Sequence, residues 1–255
     1  MAPSKRPRSV KSQFLSPLLP ALRALCELLQ KSHKQGMIIG GVASSLLGQP
    51  RLTADIDATV MIDDKDVDQF LIQASAEGLS PRRTRSAEFM RQSAMLLLQH
   101  DASGVPIDIN QGRLPFEQLA AGKAKTKRHG GISIPMPTPE DLIVMKAVAH
   151  RPKDLEDIRG IVASQARLDI SYIQKHVQSF GRALDMPELW EDIASLFQIP
   201  RSRVKKVPRR QTNPGALREH KRSSGSISSS VPRAGGRPGY PSHPSEAARS
   251  ASKGH

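Results

Sequence analysis

Three things are scarce in this chain, and each scarcity removes a class of protein. Cys26 is the only cysteine among 255 residues, so no intrachain disulfide staples the fold and a reducing compartment is allowed. It lies in an apolar helical run, where it reads as a small buried residue. Aromatic residues make up 4% and hydrophobic residues 38%, so part of the chain adds little to a core. No stretch of about 18 apolar residues is present, which excludes a membrane-spanning helix. The segment "FLSPLLPALRALCELL" has the outward form of a secretory leader. Arg23 interrupts it, Pro17 and Pro20 lie within it, and no small-x-small cleavage site follows. The expectation is a soluble cytoplasmic protein without a membrane partner.

Acidic charge is scarce at both ends. The net charge is +14, but residues 201–255 hold thirteen Lys and Arg against two Asp and Glu. Residues 1–12 hold four basic residues and no acid, which leaves 21 basic against 22 acidic residues in between. "RSRVKKVPRR" opens a Ser/Gly/Pro/Arg-rich stretch that buries too little apolar surface to offset the entropy of ordering. Residues 1–12 and 201–255 therefore read as a disordered basic N-terminus and a disordered basic tail. Arms of this charge bind phosphate backbones without sequence preference, which points to RNA; the alternative is a solubilising extension.

Between the ends, Ser16 reads as a helix cap before Leu18, Leu22, Leu25, Cys26 and Leu29, with Gly36 as the stop. "MIIGG" reads as a strand and tight turn, "VASSLLG" as a short helix, and "DIDATVMI" as a second strand. Asp63 or Asp64 caps a helix with Val67, Phe70, Leu71 and Ala74 on its core face, ended by Gly78. "AMLLLQ" and "VPIDIN" flank "HDASG" as a hairpin, and "GISIPMP" is a further strand. Pro139 and Pro152 open two helices, and two more helical patterns follow. The expected class is α+β: a small mixed sheet with packed helices over residues 13–135, then a helical segment over 136–200.

Asp55 and Asp57 are spaced to share one face of a strand, while Ile56 turns to the core. Two crowded anions repel unless a cation lies between them. Asp108, in "PIDI", offers a third carboxylate if its strand is adjacent. Hard oxygen donors suit Mg²⁺, or Mn²⁺, which shares its remaining positions with substrate phosphates. The other reading of such an acid pair is a solvated or capping group at a strand end. Gly40 and Gly41 close a strand and open a helix, where backbone N–H groups can approach a phosphate; Ser44 or Ser45, one turn on, is placed to add a hydroxyl. Arg51 and Thr53, just before the acids, are placed to reach the same ligand.

Gly40-Gly41, thirteen residues, "DID" and a later "IDI" resemble the signature of the DNA polymerase β-like nucleotidyltransferase superfamily over residues 37–110. "TPEDLIVMKAVAHRPKDLEDIRGIV" is similar to the helical motif of the AbiEii-type branch, bacterial proteins that include toxins of toxin–antitoxin and abortive-infection systems. The resemblance implies an enzyme that transfers a nucleotidyl group from a nucleoside triphosphate to an acceptor hydroxyl, with Asp55, Asp57 and Asp108 as metal ligands. It implies that Lys146 and the Arg151–Asp157 block complete the nucleotide site, Lys146 as a charge on the triphosphate and Asp154 orienting Lys146 or a metal-bound water. Lys153 and Asp157 are also spaced as an ordinary i,i+4 surface pair. The acceptors implied are RNA such as transfer RNA ends, protein side chains or antibiotics, and a toxin would have a cognate antitoxin partner. The alternative function is a non-catalytic nucleic-acid-binding module on the same fold.

Overall fold

The computed structural model describes residues 14–197. The two basic ends lie outside the described residues. A 3-10 turn (Ser16–Leu18) runs into helix α1 (Leu19–Lys31). Ser16 is therefore inside the helical segment rather than its cap, because burial of Leu15 and Leu18 carries the apolar face past it. Nor does Gly36 stop that helix. α1 ends at Lys31, and Gly36 opens strand β1 (Gly36–Ile38), where a Cβ would lie 3.0 Å from Leu29 Cδ2.

Helix α2 (Gly40–Leu47), strand β2 (Ile56–Val60), a 3-10 turn (Asp64–Asp66) and helix α3 (Val67–Ala76) follow. Next come strand β3 (Leu79–Pro81), helix α4 (Ser86–Ser93), strand β4 (Met95–His100) and strand β5 (Pro106–Gln111). Helix α5 (Pro115–Gly122) leads to the hairpin of β6 (Lys125–His129) and β7 (Ile132–Met136). Four helices close the described chain: α6 (Pro139–Ala149), α7 (Pro152–Ser164), α8 (Ile170–Ala183) and α9 (Leu189–Ala194). The class is α+β, as the sequence predicts.

The main sheet has the order β1-β2-β5-β4-β3, with β2 and β5 parallel and the other neighbours antiparallel. Ile56, Ala58, Ile107, Ile109, Leu96 and Leu98 fill one face and are fully buried. That alternation places the intervening residues on the opposite face. Helix α6 is buried from Asp141 to Ala147, and it packs against α7 and α8. A helix enclosed all round in this way is a central core element. No helix among the described residues is long and apolar enough to cross a membrane.

Candidate active site

Two glycines set the geometry. Gly40 has φ of +60°, a left-handed backbone that costs glycine little, and a Cβ there would lie 1.8 Å from Asp57 Oδ2. A Cβ on Gly41 would lie 2.5 Å from Thr53 Oγ1 and 3.2 Å from Arg51 Nη2. The missing side chains thus let Asp57, Thr53 and Arg51 converge on the first turn of α2. The Ile39 N–H donates to the Asp57 carbonyl at 2.9 Å, which ties this turn to β2. The Ser44 hydroxyl, on a residue only 2% exposed, donates to the Gly40 carbonyl at 2.9 Å. It therefore holds the turn from inside.

Asp57 and Asp108 stand opposite each other in the parallel β2–β5 ladder, so their side chains share a face. Asp108 is buried, and its carboxylate pairs with Arg82. Asp55 lies in the bend before β2 rather than on the strand. Thr53 Oγ1 donates to Asp55 Oδ1 at 2.9 Å, a local bond that competes with strand pairing and holds the bend. Two of the three predicted acids are thus brought side by side, and the third is two residues away on the same segment. Among the described residues, no three Asp, Glu, His or Cys side chains are already gathered around a metal-sized point.

Beside the acids lies a charge network that joins α2's exit loop to α6 and α7. Arg51 grips Asp157 with Nε at 2.7 Å and Nη2 at 3.0 Å. Lys146 Nζ lies 2.7 Å from Asp157 Oδ2 and 2.9 Å from Asp154 Oδ1. Arg151 Nε donates to Asp154 Oδ2 at 2.6 Å. Burial pulls the Asp154 carboxyl upward, yet the Arg151 hydrogen bond and the Lys146 charge outweigh it and hold the group below its usual range. Asp157 behaves alike, with Arg51 and Lys146 overcoming burial. Hydrogen bonding to their carboxylates raises both arginines, Arg51 through Asp157 and Arg151 through Asp154. Asp57 adds to the field at Arg151, and Asp55 to that at Arg51.

Lys146, expected as a charge on the triphosphate, has a side chain only 5% exposed and is enclosed by two carboxylates. The cations of this network with open surface are Arg51 and Arg151, at 34% and 42%. Asp157 is buried against Arg51 and Lys146 rather than lying on a solvated face with Lys153. Sequence reasoning missed Arg82, which is 26 residues from Asp108 and whose one sequence signal is the basic run "PRRTR".

The fold is similar to that of an antigenic nucleotidyltransferase-like protein from Paracoccidioides brasiliensis, at 15% identity and a TM-score of 0.48, over 72% of this chain and 93% of that one. It is similar to the antibiotic-resistance factor ANT(2″)-Ia at 13% identity and a TM-score of 0.48, over 70% and 98%. A lincosamide antibiotic adenylyltransferase, LnuA, shows 14% identity and a TM-score of 0.39, over 59% and 97%. No curated protein sequence matches the chain significantly. The profile of the family described as "Nucleotidyl transferase of unknown function (DUF2204)" matches residues 19–188, and the chain belongs to that family of nucleotidyltransferases.

Proposed function

We propose that this nucleotidyltransferase moves a nucleotidyl group from a nucleoside triphosphate to a hydroxyl of RNA, and that Asp55, Asp57 and Asp108 hold Mg²⁺ or Mn²⁺. The observation that carries the reading is the in-register pair Asp57–Asp108 set against Gly40. The donor set is hard oxygen throughout, which suits such an ion. When bound, the ion offsets the crowded carboxylates and stabilises charge on the transferring phosphoryl group.

Gly40, Gly41 and the first turn of α2 offer backbone N–H groups to the phosphates, with Ser44 fixing the turn. Arg51 and Arg151 neutralise phosphate charge at the open side of the network. Thr53 orients Asp55, while Lys146 and Asp154 position those arginines and Asp157. Asp108 accepts the proton of the acceptor hydroxyl as its oxygen attacks the α-phosphorus. The bond from that phosphorus to the bridging oxygen breaks, and pyrophosphate leaves. Positioning and electrostatics supply most of such catalysis.

The basic tail favours RNA as the acceptor. Arg151, Asp154 and Asp157 of the AbiEii-like block all join the Lys146 network, which supports that branch. A toxin role with a cognate antitoxin is carried by the sequence resemblance alone. The test is transfer of label from each α-labelled nucleoside triphosphate to total bacterial RNA and, separately, to a protein extract. Label in RNA with Mg²⁺, lost in Asp57→Ala, is expected. Label in protein alone would overturn the acceptor. No Mg²⁺-dependent nucleotide binding at all would leave a non-catalytic module.

A further inference from the structure

The acid pair belongs to a row that crosses the sheet. Register places Asp57 beside Asp108, and Asp108 beside Leu97 of β4. The Arg82 N–H donates to the Leu97 carbonyl at 2.9 Å, and Arg82 Nε to the Leu98 carbonyl at 2.9 Å. Its guanidinium then reaches back over the row to Asp108. In order across the sheet stand the glycine turn, Asp57, Asp108 and Arg82. The glycine turn and the Arg51–Arg151 network gather at the Asp57 end. At the Asp108 end stand Arg82 and the loop that follows it.

That loop is dense in positive charge. Arg82, Arg83 and Arg85 fall within four residues, with no acid among them. The Arg83 guanidinium rests on the Phe89 ring at 4.2 Å, which restrains it in advance of any ligand. Arg85 lies 3.8 Å from Glu88, both well exposed, a contact of little energy. Residues 82–85 are exposed, while Ser86, buried, closes the loop by donating to the Arg83 carbonyl at 2.7 Å.

We infer that the Arg82–Arg85 loop is the acceptor subsite and that it takes the phosphodiester backbone of single-stranded RNA. The inference rests on the transfer reading of Asp57 and Asp108, and it adds where the acceptor lies and what selects it. In-line displacement puts donor and acceptor on opposite sides of the reacting phosphorus. With the nucleotide at the glycine turn, the acceptor approaches from the Asp108 end. Guanidinium forks match phosphate oxygens, and with Arg82 held by Asp108, Arg83 and Arg85 supply two of them within one short loop, which suits a repeating polyanion. The same charge repels a polycationic acceptor such as an aminoglycoside. β3 is also an edge strand, which basic residues commonly guard against pairing with other chains, so the test must separate that role.

The experiment measures binding of a fluorescent single-stranded oligoribonucleotide to the full-length protein across a salt series. Nucleoside triphosphate binding is measured on the same samples. Arg83→Gln/Arg85→Gln is expected to weaken RNA binding about 10-fold and to lower the slope of log K against log salt by about 1.4, at roughly 0.7 per phosphate contact. Nucleotide affinity should hold, and Arg83→Lys/Arg85→Lys should restore the slope, since charge is what it reads. An unchanged slope in the glutamine variant would overturn the subsite and leave the loop as an edge guard. Transfer of label to a polycationic aminoglycoside with none to RNA would do the same. Asp57→Asn tests the underlying reading separately: it should abolish Mg²⁺-dependent nucleotide binding while leaving the loop-dependent slope intact.

Discussion

A buried lysine between two carboxylates is stable only while those carboxylates remain ionised. Lys146 meets Asp154 and Asp157, each shared with an arginine, so the five side chains hold three positive and two negative charges. Both carboxyls titrate below their unfolded value of about 3.9. A depressed carboxyl adds stability above the unfolded value and loses it as pH falls through the folded one. Asp157→Asn removes a shared anion from Arg51 and Lys146 and should cost about 3–5 kcal/mol at pH 7. The gap to the native protein should narrow toward pH 3, where the native protein is itself losing this contribution. Urea unfolding at the two pH values measures it, and an equal gap at both would show that Asp157 acts by packing alone.

At the scale of elements, the site depends on how closely α2 and α7 meet. A Cβ on Gly48 would lie 2.8 Å from the Ile161 backbone nitrogen, and one on Gly160 3.3 Å from the Gln49 nitrogen. Gln165 and Lys127 donate to the Leu47 and Leu46 carbonyls, which satisfies the end of α2 from two other elements. This contact brings Arg51 to Asp157 across 106 residues of sequence. Gly48→Ala has backbone rather than a flexible side chain to displace, so it should cost about 1–3 kcal/mol. Thermal unfolding checks the cost, and a fall in nucleotide affinity beside it would show that the crossing positions Arg51.

Much of this arrangement was legible in the sequence because local rules wrote it. Gly40-Gly41, the alternation through Ile56 and Asp57, the "HDASG" turn and the prolines at 139 and 152 each gave an element near its place. β6 was missed because "KTKRH" has no apolar alternation, although Gly130 and Gly131, both at positive φ, mark its hairpin turn. β3 and α4 were missed because three- and eight-residue elements carry little periodicity. The sequence named the acids but not their counter-ions: Arg82 reaches Asp108, and Arg51 reaches Asp157, only through the tertiary fold.

At the scale of the whole molecule, charge is divided between a nearly neutral middle and two basic ends. If RNA is the acceptor, two sources of phosphate contact act on it: the short arginine loop beside Asp108, and the thirteen cations of residues 201–255. They should be separable, because the loop acts at the reacting end and the tail acts by concentrating the polymer nearby. Deleting residues 201–255 should therefore flatten the salt dependence strongly. A tail that engages about half of its cations would remove about 4 from the slope, at roughly 0.7 per contact. The RNA concentration needed for half-maximal transfer should rise, while the maximal rate with saturating RNA stays within about twofold, because uniform binding lowers KM without raising kcat. Salt-dependent binding and transfer kinetics on the truncated chain measure both quantities. An unchanged slope would make the tail a solubilising extension, and a collapse of the maximal rate would place it inside the transfer site.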